Sequence, residues 1–245
     1  TENGGDVMNI YEKKNIGDIL AECAYPGRGI VAGLSENGRY AAIAYFIMGR
    51  SGNSRNRVFR SDGETVTIYP FDESKVSDPS LIIYSPVRKV GNRLVVTNGD
   101  QTDTVCSFLE RGSTFEAALE TREFEPDAPN FTPRISAMLE LGKDFSYRMS
   151  ILKSADENGS ACCRFTYVFS GVPGLGHFIH TYAGDGNPLP TFSADPERVT
   201  VPDSADELFS SVWENLNEEN KISLVVRYTD LETGETEERL VNKNA

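Results

Sequence analysis

The sequence has few of the residues from which proteins form structural metal sites. Among its 245 residues are four cysteines and two histidines, His177 and His180. The cysteines are Cys23, Cys106, Cys162 and Cys163. No two of them have the spacing of zinc ligands, so we predict free thiols in a reducing compartment and no metal site. The two histidines differ by three in number and would face opposite sides of a strand, which favours one buried and one exposed histidine.

Long hydrophobic runs are also missing. The longest apolar run covers 40–48, about half of the roughly 18 residues that a membrane-spanning helix needs. The N-terminus shows no basic region followed by an apolar one, so we expect no secretory signal peptide. The polar segment 1–7 is expected to be a frayed tail. These features predict a soluble, cytoplasmic protein that does not bind membranes.

Basic residues are also few relative to acidic ones. Lysine and arginine together number 24 against 37 acidic residues, which gives a net charge of −13. Such a chain repels nucleic-acid backbones and anionic membranes, so neither is expected as a partner. Any phosphate group that the protein binds must therefore be held by a local cluster of basic residues. The length and the 39% hydrophobic content predict one globular domain with a substantial core.

The pattern of turns and apolar segments predicts an α+β fold. Asn37-Gly38 and Gly91-Asn92 mark hairpins between apolar segments. Predicted strands cover 30–34, 40–48, 65–69, 81–90, 93–97, 134–140, 145–153, 161–169, 177–182, 222–228 and 237–241. Predicted helices cover 9–23, 103–122 with a break at Gly112, and 204–217 with Ser204 as N-cap. Consecutive hairpins with helices grouped between them favour two packed antiparallel sheets flanked by helices over a parallel sheet.

An arginine-rich segment follows the second predicted strand. Four of the sixteen arginines, namely Arg50, Arg55, Arg57 and Arg60, fall within eleven residues, interleaved with serine, asparagine and glycine. Guanidinium groups offer forked donors that suit phosphate oxygens, and glycine permits close backbone approach. A phosphate-binding loop and a solvated basic loop paired with surface acids are equally compatible with this pattern.

Two further segments combine polar groups with constrained backbone. The segment 97–104 lies between a predicted strand and helix, where Asp100 or Thr102 could cap the helix and free N–H groups could hold an anion. The segment 125–134 contains three prolines, which suit either a preorganised site or a rigid turn. Its Glu125 and Asp127 are possible general bases if burial raises their pKa values.

Four motifs in order resemble the archaeal-type IMP cyclohydrolase family. They are YPGRGIVAG from Tyr25, the segment 50–57, NGDQTD from Asn98, and NFTPRI from Asn130. The resemblance covers roughly 25–221. It implies a four-layer αββα sandwich like that of the N-terminal-nucleophile hydrolases, with 1–24 as a tail and helical extension and 25–245 as the single domain. It also implies no metal, no cofactor and a purine ribotide as the substrate.

The resemblance further implies the last step of IMP synthesis, in which a formamido-imidazole ribotide closes its second ring and releases water. Glu125 is then the expected base, with Asp127 second, and Tyr84 in mid-strand the expected donor near the reacting carbon. Arg134 is expected to stabilise the developing oxyanion. Arg55, Asn56 and Arg57 are expected to hold the phosphate with Arg28 or Arg50 in reserve, and Asn98, Asp100 and Thr132 to meet the ribose or base edges.

Two other functions remain open at this point. One is a non-catalytic purine-nucleotide binding or regulatory module, which would share the arginines but not need Glu125 or Tyr84. The other is an amide hydrolase of the same fold class, which would need a nucleophile at a mature N-terminus. A homo-oligomer is compatible with the sequence but not indicated by it.

Overall fold

The computed structural model of the chain describes residues 9–75 and 83–244. Within them the strands are β1 (Arg28–Leu34), β2 (Tyr40–Met48), β3 (Val58–Ser61), β4 (Val66–Tyr69), β5 (Val87–Val90), β6 (Arg93–Thr97), β7 (Arg134–Glu140), β8 (Ser146–Ser154), β9 (Cys162–Ser170), β10 (Leu175–His180), β11 (Glu197–Thr200), β12 (Lys221–Asp230) and β13 (Thr236–Asn242). The α-helices are α1 (Ile16–Glu22), α2 (Gly52–Arg55), α3 (Gln101–Glu110), α4 (Phe115–Glu120) and α5 (Ala205–Trp213). A short 3-10 helix covers Glu73–Lys75.

The strands form two antiparallel sheets. The six-stranded sheet has the order β11-β10-β1-β2-β12-β13, and the seven-stranded sheet runs from β3 to β9 in chain order. Every pair of neighbouring strands is antiparallel. The predicted α+β fold with two antiparallel sheets is therefore confirmed.

Three apolar clusters hold these layers together. Between the sheets, Ile43 and Tyr45 of β2 pack in one cluster with Val96 of β6 and Met149 of β8. A second cluster joins α1 and α5 to the other face of the six-stranded sheet, and a third joins α3 and α4 to the other face of the seven-stranded sheet. Each fully buried aliphatic side chain contributes about 1.5–3 kcal/mol by leaving water. Both faces of the central strands are covered, so β12 is buried along its whole length.

Several local predictions are confirmed because they depend on turn chemistry. The β1–β2 hairpin turns at Asn37-Gly38, where Gly38 has φ of 72°. The helical segment breaks at Gly112, and the Thr114 side chain caps α4 by accepting a hydrogen bond from Ala117 N. Ser204 caps α5 in the same way.

All four cysteines are free. No helix among the described residues is long and apolar enough to cross a bilayer.

Other boundaries differ from the prediction. The first helix starts at Ile16 rather than at residue 9, because Asn15 caps it through Gly17 N and Lys14 pairs with Val199 instead. The predicted strand 81–90 is regular only in β5, and its first two residues lie outside the described residues, as does the tail 1–7. The short strands β3 and β11 were not predicted, since four residues give too little periodicity.

The expectation of one buried and one exposed histidine is wrong. His177 and His180 are only 6% and 4% exposed. They do face different surroundings: His177 stacks on Phe169 and hydrogen-bonds the Tyr147 hydroxyl at 2.7 Å, whereas His180 stacks on Phe178. Both are buried because β10 lies inside the six-stranded sheet and both of its faces are covered.

The buried histidines predict acid sensitivity. Burial lowers the pKa of His177 and of His180 to about 4. Because the folded-state pKa lies below the unfolded value of about 6.5, their stabilisation is complete above pH 6.5 and is lost as the pH falls towards 4. Each histidine should account for up to about 3 kcal/mol of that loss. Urea unfolding from pH 7 to pH 4 should show a shallower pH dependence in His180→Phe than in the wild type; equal slopes would contradict this assignment.

Candidate active site

A cavity of about 330 Å³ lies where one end of each sheet meets the loop that precedes β7. It is lined by Tyr25, Arg28, Arg50, Ser51, Ser54, Arg57, Glu125, Asp127, Asn130, Thr132, Tyr182 and Leu189. The antiparallel pairing explains this assembly. Arg28 starts β1 opposite Ile47 near the end of β2, and Gly29 lies opposite His180 at the end of β10. Residues distant in sequence therefore converge on one cavity.

Two arginines in this cavity have no carboxylate partner in the described part of the chain. Neither Arg28 nor Arg57 has a carboxylate oxygen within 4.0 Å, whereas ten other arginines form ion pairs there. The Nε atom of Arg57 is buried and has no hydrogen-bond partner among those residues. Burial and the neighbouring charge of Arg28 lower the pKa of Arg57. With no counterion among the described residues, two partly buried cations this close together favour the binding of an anion.

The structure separates the predicted phosphate-binding residues. Arg57 lines the cavity, and so do Arg28 and Arg50, which were expected only as reserves. Arg55 instead donates from Nε to Gly49 O at 3.1 Å and is exposed outside the cavity. Asn56 is buried and uses both ends of its amide on the backbone of Asp72. The expectation that Arg55 and Asn56 contact a phosphate is not supported by these positions.

Arg55 lies outside the cavity because of a helical turn, α2, that was not predicted from the sequence. Ser51 and Ser54 cap α2 reciprocally, each through a backbone N–H of the other. This turn directs Arg55 away from the cavity and leaves both serines on its wall. Arg50, just before the turn, pairs with Asp185 at 2.5 Å and stacks over the Tyr25 ring at 5.2 Å. Arg50 therefore already has a counterion, whereas Arg28 and Arg57 have none within the part of the chain that the structure describes.

Glu125 contributes the carboxylate of this cavity. Its backbone N–H donates to Thr132 O at 2.9 Å, which fixes it at the base of the proline-rich loop. Burial raises the pKa of Glu125, although the nearby charges of Arg134, Arg28 and Arg57 partly oppose this effect. A carboxylate with a raised pKa is a stronger base than one in water, so Glu125 can accept a proton from a bound ligand.

Asp127 has a different role in the same loop. Its carboxylate accepts hydrogen bonds from the backbone N–H of Thr132, at 2.6 Å, and from the Thr132 hydroxyl. That hydroxyl is also bonded to the Tyr182 hydroxyl, whose ring stacks on Tyr25 with centroids 6.0 Å apart. Asp127 therefore holds Thr132 and Tyr182 in place on the cavity wall, and Glu125 is the freer of the two carboxylates.

Tyr84 lies near the cavity without lining it, and it is not in mid-strand as predicted. It belongs to the extended segment before β5, where its carbonyl accepts from Ile68 N at 2.9 Å. Its hydroxyl donates to Asn98 O at 2.8 Å and contacts the Tyr45 hydroxyl at 3.3 Å. Burial raises the pKa of Tyr84 despite the nearby charges of Arg57 and Arg28, so the phenol is neutral at neutral pH.

Three further predicted residues do not line the cavity: Asn98, Asp100 and Arg134. The Asn98 amide donates to Pro133 O at 2.9 Å and accepts from Ile135 N at 2.9 Å. Asp100 occupies the N-cap position of α3 without a capping bond, because its carboxylate pairs with Arg122 at 2.6 Å and with Arg134 at 2.7 Å. These contacts join the start of α3 to the start of β7, so both side chains hold the protein together at this point.

Six cavity residues are not predicted from the sequence: Tyr25, Ser51, Ser54, Asn130, Tyr182 and Leu189. Tyr25, Ser51, Ser54 and Asn130 lie inside the conspicuous motifs, so their proximity to charged residues was the available signal. Tyr182 and Leu189 carried no such signal, because their location depends on the pairing of β10 with β1.

Gly27 is the residue that lets Tyr182 approach. Its φ is +77°, and an added Cβ would lie 2.5 Å from the Tyr182 ring and 2.4 Å from Thr181 Oγ1. Gly27→Ala should cost about 2–5 kcal/mol, the sum of left-handed strain and overpacking. Gly63→Ala is the matched control, since Gly63 has φ of +94° with nothing within 4 Å, and it should cost only about 1–2 kcal/mol. Urea unfolding measures both; equal costs would show that the close approach is not tight.

The fold and this cavity define an α+β protein of two antiparallel sheets, with a pocket that contains Arg28, Arg57 and a carboxylate whose pKa is raised. The sequence model of the family described as IMP cyclohydrolase-like protein matches residues 25–235. The chain belongs to this family.

Curated relatives are archaeal proteins named IMP cyclohydrolase. The chain is 35% identical over 128 residues to the protein of Methanococcus maripaludis strain C6, which covers 50% of this chain and 61% of the relative. It is 34% identical over 120 residues to that of Methanopyrus kandleri, covering 47% and 59%. For Methanocaldococcus jannaschii the values are 32% over 118 residues, 47% and 57%. The matched part thus spans about 60% of the length of these relatives.

Proposed function

We propose that this protein is an IMP cyclohydrolase that closes the second ring of 5-formamidoimidazole-4-carboxamide ribotide to form IMP and water. The observation that supports this most is the pair Arg28 and Arg57, two partly buried cations with no carboxylate partner among the described residues. In a chain of net charge −13, such a local excess of positive charge fits a dianionic group such as the ribotide phosphate.

The phosphate would bind between Arg28 and Arg57, with the hydroxyls of Ser51 and Ser54 on the same wall. A bound dianion supplies the counterion that neither guanidinium group has among the described residues, and it can accept a hydrogen bond from the buried Arg57 Nε. The ribose and base would extend towards Glu125, Thr132 and Tyr182. Thr132 is then the one residue of the predicted ribose and base set that lines the cavity.

The reaction requires little covalent chemistry from the protein. The carboxamide nitrogen attacks the formyl carbon and loses one proton, and the formamide nitrogen loses a second. The formyl oxygen takes up two protons, and its bond to carbon breaks as it leaves as water. Because both reacting groups belong to one molecule, holding them in contact supplies much of the rate.

Glu125 would accept the proton from the carboxamide nitrogen and return it to the departing oxygen. Its raised pKa suits both steps, since proton transfer is most efficient when the pKa approaches the working pH. Tyr84 would donate to the formyl oxygen as negative charge develops there. To do so its hydroxyl exchanges the present bond to Asn98 O for one to the substrate.

We also propose that the chain has the αββα sandwich of the N-terminal-nucleophile hydrolases, which the order of its layers supports. An N-terminal nucleophile is not part of the proposal. The candidate thiol nearest the first motif, Cys23, contacts Ala183 O rather than the cavity, and burial raises its pKa. A protonated thiol outside the cavity does not serve as a nucleophile there.

Incubation with the ribotide substrate labelled with 18O in its formyl group tests the proposal. We expect IMP without the label, since the formyl oxygen leaves as water. If IMP binds but none forms, the protein is the nucleotide-binding module instead. If IMP neither forms nor binds, both functions are excluded. If the protein forms IMP, turnover should depend on Glu125. The affinity for IMP should not depend on Glu125, whether the protein forms IMP or only binds it.

A further inference from the structure

Arg134 lies at the first residue of β7, directly behind the carboxylate of Glu125. Its side chain is 11% exposed, and it does not line the cavity. The Nη1 atom donates to Asp100 Oδ1 at 2.7 Å and to Gln101 Oε1 at 2.7 Å, and lies 3.9 Å from Glu125 Oε1. The two hydrogen bonds hold the Arg134 guanidinium at the start of α3, where its positive charge lies close to the Glu125 carboxylate.

The residues that hold Arg134 are themselves anchored. Gln101 donates from Nε2 to Asn98 Oδ1 at 3.0 Å, and Asp100 binds Arg122 at 2.6 Å. Gly99 leaves the space that this arrangement needs. A Cβ at that position would lie 2.6 Å from Arg134 Nη1 and 3.3 Å from Glu125 Oε1. The polar segment 97–104 therefore acts as a support for Arg134.

Four charged groups act on Glu125: Arg134, Arg28, Arg57 and the carboxylate of Asp127. Under the proposed function, Arg28 and Arg57 bind the phosphate, whose negative charge offsets theirs. Asp127 is negative and disfavours ionised Glu125. Arg134 is outside the cavity, so its charge is not offset by the ligand. It is then the remaining cation that keeps Glu125 ionised while substrate is bound.

We propose that Arg134 is a positioning residue that orients Glu125 and holds it in its ionised form when the ribotide phosphate occupies Arg28 and Arg57. The inference rests on the proposed function. It replaces the expectation that Arg134 stabilises an oxyanion, because Arg134 does not reach the cavity. The proposal also gives Asp100 a function. Its negative carboxylate partly neutralises Arg134 and so weakens the effect of Arg134 on Glu125.

This role predicts opposite effects for two neutral substitutions. Arg134→Gln removes the cation, so the acid limb of the kcat–pH profile should move to higher pH by on the order of one unit, about tenfold in the fraction of ionised Glu125. Asp100→Asn keeps an oxygen acceptor for Arg134 but removes the negative charge, so the limb should move to lower pH. Arg134→Lys should restore part of the wild-type profile.

The control is Arg88→Gln, which removes a cation paired with Asp103 and Glu110 on the far side of α3 and should leave the limb in place. The proposal would be overturned if Arg134→Gln lowered kcat at every pH without moving the acid limb of the profile. It would also be overturned if the acid limb moved in the same direction in Arg134→Gln and Asp100→Asn. If the wild type shows no turnover, the titration of Glu125 is followed by 13C NMR of the carboxyl group with IMP bound. Opposite shifts there would support the role of Arg134 even though the proposed reaction had failed.

Discussion

Replacing Glu125 by glutamine is expected to lower kcat by about 10²- to 10⁴-fold, the usual contribution of a general base. The affinity for IMP should change little, because the phosphate contacts of Arg28 and Arg57 stay in place and the side-chain shape is kept. Steady-state turnover and calorimetric titration with IMP measure the two quantities separately. Equal losses of turnover and affinity would contradict the assignment of Glu125 as a base and make it a binding residue.

The same substitution should raise the stability of the protein near neutral pH. The pKa of Glu125 is raised in the folded state, mainly by burial. Its contribution to stability is therefore present in full below the unfolded pKa of about 4.3 and is lost as the pH rises through the folded pKa. Glutamine does not ionise, so Tm of Glu125→Gln should exceed that of the wild type at pH 7 and approach it at low pH.

Glu123→Gln is the matched control for this prediction. Glu123 lies two residues away, is 68% exposed and contacts only Arg164, at 3.8 Å, among its ion pairs in the described chain. An exposed pair of this kind contributes little, so neither kcat nor Tm should change appreciably. A Tm of Glu125→Gln below that of Glu123→Gln at pH 7 would show that the ionised carboxylate stabilises the fold. It would contradict the expectation that ionising Glu125 costs stability.

Replacing Arg57 by glutamine should weaken IMP binding by about 10- to 150-fold, the range expected for losing a charge-assisted hydrogen bond. Inosine lacks the phosphate, so its weaker binding should be nearly the same in wild type and variant. Calorimetric titration with both ligands measures this difference. A loss of similar size for inosine would place Arg57 near the base rather than the phosphate.

Arg55→Gln provides the control, since it removes an arginine two positions away that points out of the cavity. Its IMP affinity should match that of the wild type. The unfolding free energy of Arg57→Gln should equal or exceed that of the wild type, because burial and Arg28 disfavour the charged form of Arg57 in the fold. Loss of affinity in Arg55→Gln with none in Arg57→Gln would reverse the assignment.

The fold was largely predictable because its signals are local. Asn37-Gly38, Gly91-Asn92 and Gly112 each determine a turn or a break through backbone conformation, whatever surrounds them. The burial of both histidines was not predictable in this way. It depends on β10 having neighbours on both sides and layers above and below.

The site was predictable only to the level of motifs. Arg50, Arg55 and Arg57 look equivalent in the sequence, but one helical turn held by Ser51 and Ser54 sends Arg55 away. Two serines three residues apart are compatible both with mutual capping and with ligand binding, and the sequence does not distinguish between the two. Tyr182 reaches the cavity only through the pairing of β10 with β1, and such long-range contacts leave no pattern within a short window of sequence.

A crystal structure with IMP bound is the most direct test of this account. We predict phosphate oxygens about 3 Å from guanidinium nitrogens of both Arg28 and Arg57, with the hypoxanthine ring directed towards Glu125 and Tyr84. A phosphate bound at Arg55, outside the cavity, would contradict the central claim that Arg28 and Arg57 form the ribotide phosphate site. So would a ring that lies on these two arginines with the phosphate elsewhere.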